Sequence, residues 1–116
     1  MKEYFTKEKD PHIDFDKVEP LALNMLNRAR EKAEIPFVIT STYRSPDYSE
    51  SQGWSRTNAH TEEPCAAFDI ACTGARERYL IIKALLDVGF DRIGFNANHI
   101  HVDRSPNLDQ EVFWLE

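Results

Sequence analysis

The sequence predicts an α+β fold, a small antiparallel sheet with helices packed on one side. Three observations carry that expectation. Two stretches repeat apolar residues at helical spacing, four short runs are β-branched, apolar or alternating, and helices and strands segregate along the chain rather than alternating strictly. A chain of 116 residues suits one domain spanning 1–116. Such a chain buries roughly 65% of the surface its unfolded form exposes, enough for a core without metal or disulfide staples.

Residues 1–15 are charged and irregular, with Phe5, Ile13 and Phe15 as anchors onto the domain. Asp16-Lys17-Val18-Glu19 reads as a capping box, and Pro20 fits a first helical turn. Val18, Leu21, Met25, Leu26 and Ala29 then recur at helical spacing, so a helix is expected over 17–33, ended by Pro36. Phe37-Val38-Ile39-Thr40-Ser41 is a β-branched run that reads as a strand. Residues 43–63 form a long polar stretch, and loops of this length inside a compact domain are usually functional or disordered. Ala66-Ala67-Phe68-Asp69-Ile70-Ala71 reads as a buried strand carrying one carboxylate as an intruder. A second helix is expected over 75–88, stopped by a glycine cap at Gly89. Residues 92–95 and 99–103 read as strands joined by the turn-prone Asn96-Ala97-Asn98. The apolar tail Val112-Phe113-Trp114-Leu115 is expected to dock back on the domain.

Composition narrows the partners. Hydrophobic residues at 41% and charged residues at 29% are ordinary globular values. With 14 Lys+Arg against 20 Asp+Glu, the formal net charge is −6, and the acidic balance argues against nucleic acid, whose phosphates need a basic face. No apolar run approaches the ~20 residues of a membrane span. The first residues are polar with no apolar core of a signal peptide, so the chain is expected to be cytoplasmic as synthesised; a monomer is expected. Cys65 and Cys72 lack the spacing of a redox pair or zinc knuckle and sit among apolar neighbours, which reads as two buried free thiols.

The chemistry concentrates in His99-Ile100-His101-Val102-Asp103. Residues two apart on a strand share a face, so His99, His101 and Asp103 point one way and Ile100 and Val102 pack into the core behind them. Adjacent polar groups on a core strand are costly unless something satisfies them, and Asp69 poses the same problem inside its own strand. A divalent metal answers both, since two imidazoles and a carboxylate leave zinc one position open for water. His60, at the end of the polar stretch, completes the inventory. The alternative has His99 and His101 solvated on an edge strand and Asp69 paired with Arg44 or Arg92. His12, isolated in the polar N-terminal segment, reads as a surface residue.

Taken in order, Ser41-Thr42-Tyr43-Arg44-Ser45-Pro46, His60, Ala67-Phe68-Asp69-Ile70, Gly89-Phe90-Asp91-Arg92-Ile93-Gly94 and His99-Ile100-His101-Val102-Asp103 form a recognisable series. It resembles the zinc D-alanyl-D-alanine carboxypeptidases of peptidase family M15, especially their short phage and bacterial members, over about residue 16 to the end of the sequence. The resemblance implies a hedgehog/DD-peptidase-like zinc fold with His60, Asp69 and His101 as zinc ligands. It implies that His99 stabilises the transition state or moves a proton, and that Arg44, with Tyr43 beside it, binds substrate. It implies a peptidoglycan peptide as substrate, cut as a D-Ala-D-Ala carboxypeptidase or an L-Ala-D-Glu type endopeptidase, with release to the cell wall on lysis. The alternative is a non-catalytic zinc-binding or interaction domain that keeps the fold.

The chain departs from the family pattern in two places. The family spaces its first two ligands as H-x-x-G-x-A-x-D, whereas His60 to Asp69 is two residues longer, with Cys65 at the glycine and Asn58 at a common serine. Several relatives carry a Glu or Asp three residues before the last ligand, where this chain has Asn98, and an amide cannot act as a general base. Either His99, Asp103, Glu62 or Glu63 takes that role, or the enzyme is slow or inactive.

Overall fold

The structure, a computed structural model, describes residues 2–116. Its elements in chain order are α1 (Pro20–Ala33), β1 (Val38–Ser41), α2 (Pro46–Ser51), β2 (Ala67–Ala71), α3 (Ala75–Asp87), β3 (Arg92–Phe95), β4 (His99–Asp103) and β5 (Val112–Leu115), with short 3-10 turns at Phe15–Lys17 and Ala59–Thr61. Among the described residues the five strands form one sheet in the order β1-β2-β4-β3-β5. Neighbouring strands run antiparallel except β3 and β5. The expected α+β class is therefore observed, with one parallel pair in the sheet. That pair follows from the path of the chain: β4 ends beside the start of β3, and residues 104–111 carry it round to start β5 beside Arg92 again.

The sheet has two unlike faces. Phe68, Ile70, Ile93, Ile100 and Val102 point to one side and join Ala22, Leu26, Ala29, Ala33, Ile81, Ala84 and Leu85 of the paired helices α1 and α3 in the main core. Phe5 is buried in that core, with Ile13 and Phe15 packed against it, so the irregular N-terminal segment is anchored as expected. On the other face, cross-strand neighbours form a row: Ser41 opposite Asp69, Asp69 opposite His101, His101 opposite Gly94, and Gly94 opposite Trp114. A slip of one residue would turn these polar groups into the core, so the apolar face locks the register of the polar one.

Three local expectations are corrected. The first helix begins at Pro20, and Asp16 caps nothing: residues 17–19 are bridged to Cys65 instead, with Cys65 N donating to Lys17 O at 2.7 Å and Glu19 N to Cys65 O at 2.8 Å. Backbone groups used in that bridge cannot also start a helix. The buried stripe of α1 is Ala22, Leu26, Ala29 and Ala33, whereas Leu21 is 54% exposed. The polar stretch 43–63 is not featureless. It holds α2, started by Ser45, whose hydroxyl accepts from Tyr48 N, with Pro46 at the first helical position. The expected end of the second helix is observed, with Gly89 at φ +106° just past α3, a conformation that favours glycine. Among the described residues, no helix is long and apolar enough to cross a membrane.

Candidate metal centre

Two elements bring the central groups together. The register of β2 against β4 sets Asp69 beside His101, and the 3-10 turn Ala59–Thr61 delivers His60 from above. Asn58 holds that turn in a capping box: its side chain accepts from His60 N at 2.8 Å, while its own N–H reaches Thr61 Oγ1 at 3.1 Å. His60 Nε2 lies 3.2 Å from His101 Nδ1 and 3.3 Å from Asp69 Oδ1, and His101 Nδ1 lies 3.0 Å from Asp69 Oδ1. One ligand atom from each of the three residues falls within 4.8 Å of the others.

The ring orientations are determined by what stands behind each ring. His60 Nδ1 donates to the Thr42 carbonyl at 2.6 Å; a carbonyl can only accept, so the hydrogen sits on Nδ1 and Nε2 faces the cluster with its lone pair. His101 Nε2 donates to Asp103 Oδ2 at 2.6 Å, which turns Nδ1 inward. Asp103 is in turn held by Arg92 Nε at 2.7 Å and Ser105 N at 3.0 Å, and is fully buried. Arg92 therefore pairs with Asp103 rather than Asp69. Two inward ring nitrogens and one carboxylate, each imidazole anchored on its far side by a protein acceptor, form a donor set suited to a divalent metal.

Electrostatics in the metal-free chain follow from this geometry. Burial opposes the charge on Asp69, but the adjacent His101 and His60 rings outweigh it and hold the carboxyl well below its usual range. Burial likewise opposes a charge on His101, yet its bonds to Asp103 and Asp69 push its pKa up to about 9. Asp103 is lowered, against burial, by His101, Ser105 and Arg92. Glu116 is lowered, again against burial, by His99 and Trp114.

The cluster forms the floor of a cavity of about 610 Å³ whose walls include Arg44, Trp54, His99, Leu108, Trp114 and Glu116. Arg44 stacks on Trp54 with its guanidinium 4.6 Å from the ring, and its Nη1 lies 3.8 Å from Asp69 Oδ2. Its Nε is buried and has no hydrogen-bond partner among the described residues. His99 stands at the rim, its Nε2 3.0 Å from Glu116 Oε1. Tyr43 is not brought in. Its phenol donates to Glu63 at 2.9 Å, and it lines a neighbouring groove with His12 and Tyr48. His12 is exposed.

The long His60–Asp69 spacing does not displace His60. The extra residues bulge away and are tied on their far side: Cys65 by its bridge to residues 17–19, Glu62 by Ser105 Oγ at 2.5 Å, Glu63 by Lys17 Nζ at 3.1 Å. Cys65 and Cys72 are free and buried, as expected, and burial pushes both thiols up, away from the reactive thiolate. Asn98 is exposed in the β3–β4 turn and lies outside the cavity walls. Sequence reading missed the Thr42 carbonyl, the Asp103–Arg92 pair and the rim formed by Trp54, Trp114 and Glu116. Period two along β3 and β5 was the available signal, since Arg92 shares a face with Gly94 and Trp114 with Glu116.

Comparison with known proteins gives one match. A family model described as Peptidase M15 matches residues 4–103, from the N-terminal segment to the end of β4. No curated protein and no solved structure matches the chain significantly.

Proposed function

Because the chain belongs to the peptidase M15 family and carries a buried His-Asp-His group able to hold a metal, which supports a metallopeptidase, we propose that it is a zinc enzyme hydrolysing peptidoglycan peptides. The observation that carries this reading is the convergence of His60 Nε2, Asp69 Oδ1 and His101 Nδ1 on the floor of an open cavity. These atoms would hold zinc. When bound, zinc supplies a Lewis acid for the scissile carbonyl and lowers the pKa of a bound water to about 7.

The chain's own residues do the rest. Thr42 and Asp103 keep the two imidazoles in the tautomers that leave the inward nitrogens available. Arg44, whose buried Nε has no partner among the described residues, would offer its donors to a substrate carbonyl or carboxylate beside the cluster. His99 at the rim is placed to exchange a proton with the leaving amine. Trp54, Leu108 and Trp114 give the cavity apolar walls. Cell-wall peptides with D-alanine or D-glutamate neighbours are the substrates that the resemblance to short phage and bacterial members implies.

The test is hydrolysis of muropeptides containing D-Ala-D-Ala and L-Ala-D-Glu bonds, with products identified by mass. Zinc-loaded wild type is expected to release one of the two product sets, and His101→Ala to abolish release together with stoichiometric zinc. Stoichiometric zinc without hydrolysis of either bond would favour a non-catalytic metal-binding domain. Failure to retain zinc after supplementation would sink both readings.

A further inference from the structure

Glu116 lies outside the matched residues 4–103, as does the whole of β5, yet Glu116 and Trp114 of β5 line the cavity whose floor the matched residues build. Its position is set by the sheet. Trp114 pairs with Gly94 in the β3–β5 register, and a Cβ at Gly94 would stand 2.4 Å from the indole, so only glycine lets the ring lie across β3. The indole then packs 5.5 Å from the His101 ring, with the Arg92 guanidinium 5.0 Å from its centre. Glu116, two residues on, has its N–H bonded to Phe95 O at 3.0 Å and its side chain turned to the same rim.

The carboxylate is held at both oxygens. Trp114 Nε1 donates to Oε2 at 2.6 Å, and His99 Nε2 lies 3.0 Å from Oε1. An ionised carboxylate only accepts, so His99 carries its hydrogen on Nε2 and keeps Nδ1 as the acceptor of the ring. The carboxylates considered as candidate bases are engaged elsewhere and do not reach His99: Asp103 by Arg92 and His101, Glu62 by Ser105, Glu63 by Lys17 and Tyr43.

We propose that Glu116 is the positioning residue for His99, through a carboxylate–histidine pair built by β5 at the cavity rim. The pair fixes one tautomer and one ring orientation, as a buried carboxylate does for the histidine of a hydrolytic triad. Its catalytic consequence rests on the peptidase reading above; the tautomer itself does not.

The test uses Glu116→Gln in the zinc-loaded protein. Trp114 Nε1 is a donor only, so the new amide must turn its oxygen to Trp114 and its NH2 to His99. Nε2 of His99 must then accept, and the ring flips to the Nδ1–H form. Long-range nitrogen–proton NMR of the imidazoles is expected to show His99 as Nε2–H in wild type, inverted in Glu116→Gln and restored in Glu116→Asp. Muropeptide kinetics should show kcat falling about 10–100-fold in Glu116→Gln, with KM and zinc content little changed and partial recovery in Glu116→Asp. Wild-type His99 found as Nδ1–H, or an unchanged tautomer in Glu116→Gln, would overturn the proposal. An unchanged kcat beside an inverted tautomer would remove its catalytic part. A wild type inert on every wall peptide would count against the peptidase reading alone, because the NMR result stands without turnover.

Discussion

The two faces of β4 show how one strand of five residues serves two kinds of stability. On one side Ile100 and Val102 are fully buried among α1, α3 and the neighbouring strands, and hold by apolar contact. On the other, His101 and Asp103 are nearly as buried but hold by direct bonds, through Asp69, Arg92 and Ser105. The difference teaches where tolerance lies. Apolar contact is non-directional and sets the register, whereas the polar face keeps its buried charges only while every partner is present.

Breaking the apolar side is expected to have the larger effect on folding. Ile100→Ala should cost about 2–5 kcal/mol in denaturant unfolding. The fraction that remains folded should still bind metal, because no group of the cluster changes. Asp103→Asn strikes the other face. It removes the acceptor that turns His101 Nδ1 inward and leaves Arg92 buried without its counter-charge. Metal affinity, measured by competition with a chelator, is expected to fall about 10–100-fold.

A pH series sharpens the same contrast. In the metal-free chain His101 titrates at about 9 against an ordinary 6.5, so the folded state binds that proton more tightly than the unfolded one. Its contribution to stability is complete below pH 6.5 and is lost as the pH rises through 9. Metal must displace the proton from Nδ1. Affinity should therefore rise about tenfold per pH unit below that range's upper end and level off above it, and calorimetry in buffers of different ionisation heat should find one proton released per metal only on the rising limb. The smallest effect is expected at Asn58. Removing its cap in Asn58→Ala should cost about 1 kcal/mol by thermal unfolding and loosen His60 without removing a ligand.

How much of this was legible in the sequence follows from which interactions are local. The alternation in 99–103, the carboxylate inside 66–71 and the glycine after α3 are short-range patterns, and each led to the right element. The start of α1 was misplaced because Asp16 and Glu19 mimic a capping box while Cys65, far along the chain, claims the backbone of residues 17–19. His60, Asp69, His99 and His101 stood out as polar intruders beside apolar runs. Thr42 did not, since its contribution is a main-chain carbonyl that any residue type would supply. Arg92 and Glu116 take their roles from cross-sheet neighbours: the sequence offers Arg92 as a partner of Asp69 whereas the sheet pairs it with Asp103, and the sequence alone assigns Glu116 no role.

As proposed, His60, Asp69 and His101 would together hold a metal with one position left open. X-ray absorption of the protein loaded with one equivalent of zinc tests it directly. Two imidazole nitrogens and oxygen donors are expected in a four-coordinate shell, lost in His101→Ala. A zinc–sulfur distance of about 2.3 Å, which would place Cys65 or Cys72 on the ion, or a shell unchanged in His101→Ala, would contradict it.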